Sequence, residues 1–96
     1  MRAKNDVTIG QALDMMVDNL KLRSKLNESR IREGWVEVMG KPIAKYTSSV
    51  SLRDGKLYIK IDSAALKQEL NYSRGKIMEL FNKELGPNVV KDVVIF

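Results

Sequence analysis

Arg53, Lys56, Tyr58 and Lys60 are the side chains best placed to do chemistry, sharing one face of a predicted hairpin turned at Asp54-Gly55. Guanidinium and ammonium groups at that spacing neutralise phosphates, and a tyrosine ring among them offers a base a stacking surface. Lys41 and Lys45, in the segment that enters the hairpin, extend the same basic surface. The implied chemistry is recognition of a polyanion. Bond-making chemistry has no comparable support. The sequence holds neither histidine nor cysteine, which removes the usual nucleophile–base pairs and nearly all zinc sites. Its carboxylates are scattered among cations, and neither a Walker-type loop nor a G-x-G-x-x-G run occurs. The expectation is a binding protein, not an enzyme, with no metal, cofactor or small-molecule substrate.

The distribution of charge supports the same reading. The formal net charge is +5. Residues 1–20 hold two basic and three acidic side chains, and residues 61–96 hold five of each. The excess is confined to residues 21–60, with ten basic side chains against four acidic ones. A charge concentrated in one part of a small domain is the footprint of a surface for nucleic acid. The competing reading, from a different class, is a protein-interaction module whose basic face meets an acidic partner without touching nucleic acid.

Positioning those side chains falls to the hairpin. Asp-Gly between two alternating runs favours a type I′ turn, which needs positive φ at both central residues. With Asp54 and Gly55 as the loop, Leu52 faces Leu57, Val50 faces Ile59 and Ser48 faces Ile61 on an apolar side. Arg53 then sits by Lys56, Ser51 by Tyr58, Ser49 by Lys60 and Thr47 by Asp62 on a wet, cationic side.

The apolar side needs cover. Thr8 and Gln11 have capping-box spacing, and Ile9, Leu13, Met16, Val17 and Leu20 follow on one stripe, predicting a first helix packed on the sheet. Met15 and Met16 are read as packing residues of that helix. Lys21-Leu22-Arg23 is predicted to link it to a second helix capped by Ser24, with Ile31, Trp35 and Val38 or Met39 buried and a stop at Gly40 and Pro42. Ile43 and Ala44 make one further helical turn. Beyond the hairpin, Ser63 caps a single long helix carrying Leu66, Leu70, Ile77, Leu80, Phe81 and Leu85, closed by Gly86-Pro87. Val89–Phe96 is a final strand with Val93 and Ile95 inward.

The predicted fold is α+β in the order α-α-β-β-α-β, a three-stranded mixed sheet with helices packed on one face. Residues 1–7 are expected to be a flexible N-terminus and residues 8–96 one domain. Met1–Asp6 lacks the apolar core of a signal peptide, no apolar run reaches membrane length, and cysteine is absent. These features fit a cytoplasmic protein that meets no membrane. Were the long helix broken near Gly75, the last elements would read α-β-β-α-α-β, the order of a type II KH domain. The place of the KH backbone clamp then reads Ser73-Arg74-Gly75-Lys76 in place of G-x-x-G, so the standard clamp is not expected.

Several spaced residues carry a family resemblance. Trp35-x-x-Val38-x-Gly40-x-x-Ile43-Ala44-x-x-Thr47 is followed by Leu52-x-x-Gly55-x-Leu57-x-Ile59, then Ser63-Ala64 with Glu69-Leu70, then Leu80-x-Asn82-x-x-Leu85-Gly86. Together they resemble the DciA-like family, named for a bacterial loader of the replicative DNA helicase. The resemblance covers roughly residues 8–96. It implies a KH-like domain that binds DNA, single- or double-stranded, in DNA replication and contacts the replicative helicase. The typical loader continues into a long basic tail, whereas this sequence ends at Phe96 and reads as a compact single-domain version. Tyr46 stands where many relatives have histidine.

Overall fold

The computed structural model describes residues 8–96, so the expectation for residues 1–7 lies outside the described residues. The elements are α1 (Ile9–Glu33), α2 (Trp35–Met39), α3 (Lys41–Lys45), β1 (Thr47–Arg53), β2 (Lys56–Ile61), α4 (Ala64–Asn71), α5 (Arg74–Leu85) and β3 (Asp92–Ile95). The three strands lie in the order β1-β2-β3, with β1 antiparallel to β2 and β3 parallel to β2. This is the predicted α+β class with a mixed sheet.

The hairpin forms as its sequence requires. Asp54 and Gly55 both adopt positive φ, 50° and 80°. Leu52 pairs with Leu57, Val50 with Ile59, Ser51 with Tyr58, Ser49 with Lys60 and Arg53 with Lys56. The expected register fails only at the far end, where a bulge at Ser48 pairs Thr47 with Ile61. The bulge takes Thr47 off the wet side. Its Oγ1 accepts a hydrogen bond from Trp35 Nε1 (3.0 Å) and donates to the Ile43 carbonyl (2.8 Å). A buried indole N–H needs such a partner, and that need outweighs regular pairing at the strand's start.

Two helical predictions are corrected. The first two helices are one: α1 runs unbroken through Lys21-Leu22-Arg23 to Glu33, and the interruption comes at Gly34 (φ −90°, ψ 4°). Its start is as predicted, a capping box with Thr8 and Gln11 reciprocally bonded. Ser24 is therefore no cap. The long helix after the hairpin is in fact two, α4 and α5, divided at Tyr72-Ser73. The polar turn Ser73-Arg74 could not continue the apolar stripe, and the break turns Leu70 of α4 and Ile77 and Phe81 of α5 into the core separately. The order from α3 onward is thus α-β-β-α-α-β. Gly40 adopts φ 90° between α2 and α3, a conformation glycine takes at little cost.

Ile31, Trp35, Val50, Leu52, Leu57, Ile59, Ile61, Leu70, Ile77, Phe81, Val90 and Val93 form the core, on the helix side of the sheet. The Trp35 and Phe81 rings stack with centroids 5.5 Å apart and planes 9° from parallel. Asn82 fastens the approach to β3, donating to the Val90 carbonyl and accepting from the Val90 N–H (2.9 and 2.7 Å).

The stripe predicted to bury the first helix is exposed instead. Ile9 is 81% exposed, Leu20 62%, and Leu13, Met15, Met16 and Val17 between 46% and 59%. The cause is direction. Along α1, Ser24 lies by Leu52 and Arg32 by Val50, so α1 runs against β1, and residues before Ser24 continue past the hairpin turn, where no sheet remains. The molecule is accordingly long, 61 × 21 × 20 Å.

Ser24, Glu28 and Arg32 seal the outer edge of β1. Ser24 Oγ donates to the Leu52 carbonyl (3.3 Å), Glu28 Oε2 accepts from the Leu52 N–H (2.8 Å), and Arg32 Nε donates to the Val50 carbonyl (3.2 Å). Ser24 and Glu28, one helical turn apart, take the carbonyl and the N–H of the same residue, and Arg32, a further turn along, takes the carbonyl of Val50, two residues away on the strand. Arg32 also pairs with Glu28 within the row. Glu28→Ala, which strands the Leu52 N–H and frees Arg32, is expected to cost about 1–3 kcal/mol in urea unfolding. Glu33→Ala on the same helix, an exposed carboxylate, should change stability by less than about 0.5 kcal/mol.

Candidate nucleic-acid interface

Among the described residues, the core lies on one face of the sheet and the other face carries exposed and half-buried side chains. Alternation along β2 sends Leu57, Ile59 and Ile61 into the core and leaves Lys56 and Lys60 exposed, with Tyr58 half-buried between them. On β1, Ser49 and Arg53 are exposed and Ser51 is half-buried on the same face. Successive side chains on one face lie about 6.8 Å apart along a strand. Arg53 and Lys56 therefore form a pair at the turn end, Tyr58 the middle, and Lys60 the far end. Lys41 and Lys45 belong to α3, immediately before β1, and both are exposed. The Lys45 ammonium sits 5.8 Å from the Tyr46 ring centroid. The hairpin thus brings four of the six predicted residues onto one face, and the other two lie beyond its Lys60 end.

β3 adds residues that the sequence does not assign to the face. Its register sets Asp92 beside Lys56 and Val94 beside Tyr58. Val93 is buried and Ile95 packs against the core, as alternation predicts. The outward row is therefore Asp92, Val94 and Phe96, an acid and two apolar groups beside the cations. Lys91 arrives at the hairpin turn: its N–H donates to the Gly55 carbonyl (2.7 Å), and its stem packs so closely on Gly55 that an added Cβ there would meet it at 3.0 Å. Lys91 joins Arg53 and Lys56 at that end. Only the parallel pairing of β3, a contact between residues far apart in sequence, reveals it.

The face can bind anions and stack a base. Among the described residues no group of three or more histidine, cysteine, aspartate or glutamate side chains could hold a metal ion, and no helix is long and apolar enough to cross a membrane. A shallow cleft of about 240 Å³ opens on the helix side, where Ile31 and Phe81 floor it and Arg30, Glu37 and Glu84 contribute to its lining. It lies apart from the basic sheet face.

The spaced residues that signal a family prove structural: Trp35 binds Thr47, Gly55 makes the turn, and Asn82 anchors Val90. A family model described as "Dna[CI] antecedent, DciA" matches residues 8–95. The chain belongs to the DciA family. Two curated relatives agree. A UPF0232 protein of Corynebacterium glutamicum (strain R) is 30% identical over 66 residues, covering 69% of this chain and 37% of that protein. A UPF0232 protein of Rhodococcus jostii (strain RHA1) is 31% identical over 71 residues, covering 74% of this chain and 38% of that protein. The chain thus spans well under half the length of either relative. No solved structure matches it, so the KH comparison stands on the order of elements alone.

Proposed function

We propose that this DciA-family domain binds nucleic acid on its open sheet face and works beside the replicative helicase in DNA replication. The helicase part rests on family membership. The nucleic-acid part rests on one observation: Arg53, Lys56 and Lys60 share with Tyr58 the sheet face opposite the core, which no helix of the described residues covers. Phosphates meet the three cations, Lys91 supplements them at the turn, and Lys41 and Lys45 lengthen the surface at the other end. Contacts of this kind position a backbone without reading sequence.

Anisotropy titration of a labelled oligonucleotide at low salt tests the reading. Wild type should bind, with an affinity that falls steeply as salt rises. The Arg53/Lys56/Lys60 triple alanine variant should lose most of it, and its salt slope should drop by about 2 units if each cation neutralises one phosphate of a single strand. Tyr58→Ala should weaken single-strand binding by about 1–3 kcal/mol with little change of slope. Equal binding by the triple variant would move the function to a protein partner.

A further inference from the structure

α1 does more than seal the edge of β1: its cations border the open face. The direction of each α1 side chain follows from the three bonds to β1. Ser24, Glu28 and Arg32 define the strip of the helix that points at the strand edge. At about 100° per residue, Ile31 lies about 60° to one side of Glu28, and it is buried beneath the sheet. Lys25 lies about 60° to the other side and is exposed. The order around the helix is therefore core, strand edge, open face, with Lys25 on the last. Lys21, one turn earlier, lies about 20° from Glu28 on the same side as Lys25; it is exposed and extends the row beyond Ser24, toward the hairpin turn. A helix about 10 Å across, set against the strand edge, stands above the sheet plane on the open side.

We propose that Lys21 and Lys25 form the cationic wall of a groove whose floor is the open sheet face, and that its ligand is single-stranded nucleic acid. The inference rests on the reading of that face given above and adds a second element to it. Tyr58 lies on the central strand, half-buried in the middle of the floor, so an unpaired base reaches its ring and a base held within a duplex does not. The floor is about 10 Å wide between its outer strands, room for one strand of nucleic acid. That strand would run along β2, with phosphates toward Lys21 and Lys25 on one flank and toward Lys56 and Lys60 below. The acids of the protruding part of α1, Asp14 and Asp18, precede the wall, and Glu28 is engaged with Arg32 and the Leu52 N–H.

The experiment compares two double variants of equal charge loss. Lys21→Ala/Lys25→Ala removes the wall. Lys76→Ala/Lys83→Ala removes two exposed cations from α5, on the covered side of the sheet. Each is titrated by anisotropy against labelled oligothymidylate over a range of salt, with melting temperature measured to show that folding is kept. The wall variant should bind more weakly, with a salt slope reduced by about 1.4 units, the value for two phosphates of a single strand. The α5 variant should keep the wild-type slope, and wild type should prefer oligothymidylate to the same length of duplex. If the wall variant matches the α5 variant while the Arg53/Lys56/Lys60 variant still loses binding, the wall is wrong and the sheet face stands. A wild type that prefers duplex overturns the single-strand groove. Equal binding by the sheet-face variant, or none by wild type, overturns both.

Discussion

Leu57→Asp and Ile59→Asp should each leave the domain unfolded in buffer at room temperature. Both side chains are wholly buried, on the central strand of the three. A carboxylate there loses its hydration and finds only Val50, Leu52, Val93 and their neighbours, none of which can donate a hydrogen bond from its side chain. Burying an unpaired charge belongs with the few changes that exceed about 4–5 kcal/mol. A domain of this size holds about 5–15 kcal/mol in all. Far-ultraviolet circular dichroism and a urea titration would read the result directly. Lys60→Ala, one residue along the same strand, should shift stability by less than about 0.5 kcal/mol because its side chain points to solvent. Comparable damage from Lys60→Ala would mean that the two faces of the sheet have been exchanged.

Trp35→Ala should cost about 3–5 kcal/mol, the range for deleting a large buried aromatic side chain. The indole is 5% exposed and stacks on Phe81. Its removal leaves a cavity between α2 and α5 and takes away the donor to Thr47 Oγ1, which keeps only its own bond to the Ile43 carbonyl. Trp35→Phe is the milder change: it retains a ring over Phe81 but loses the hydrogen bond and part of the indole's buried volume, so about 1–3 kcal/mol is expected, less than for Trp35→Ala. Native fluorescence supplies an independent check. As the sole tryptophan, Trp35 should emit at short wavelength and shift to long wavelength on unfolding. Emission typical of hydrated indole in the native protein would contradict its place in the core.

How much of this architecture is legible in the sequence depends on how local the cause is. Asp54-Gly55 and the alternation around it specify the turn, the pairing and both faces within about a dozen residues, so the hairpin reads correctly from Ser49 to Lys60. The bulge at Ser48 does not, because its cause is Trp35, a dozen residues earlier in the chain and on another element. Periodicity from Ile9 to Leu20 announces a helix with an apolar side, yet it carries no information about whether anything covers that side. The direction of α1 along β1 decides that, and direction is a tertiary property. Ser24, Glu28 and Arg32 look like a cap and two surface charges; their common role appears only when a strand edge is set beside them. The division of α4 from α5 leaves just a weak trace, the polar Ser73-Arg74 turn. Lys41, Lys45, Arg53, Lys56, Tyr58 and Lys60 were readable as a basic group because all follow from the hairpin and its entry, whereas Lys91 depends on a parallel strand that returns from far along the chain.

The seal on β1 also determines how this sheet can grow. A strand edge with unpaired N–H and C=O groups is a template for another chain, and a sheet with two such edges can add copies without end. Here Ser24, Glu28 and Arg32 occupy one edge. The other, β3, is four residues long, and the Asp92 carboxylate already takes the Val93 N–H at 2.8 Å. Among the described residues, edge-to-edge association is therefore favoured through β3 over β1, where α1 holds the outward groups of Leu52 and the Val50 carbonyl. By this geometry the folded domain offers β3 as its free edge, and three side chains of a helix stand in the way of strand addition along the Val50–Leu52 part of β1.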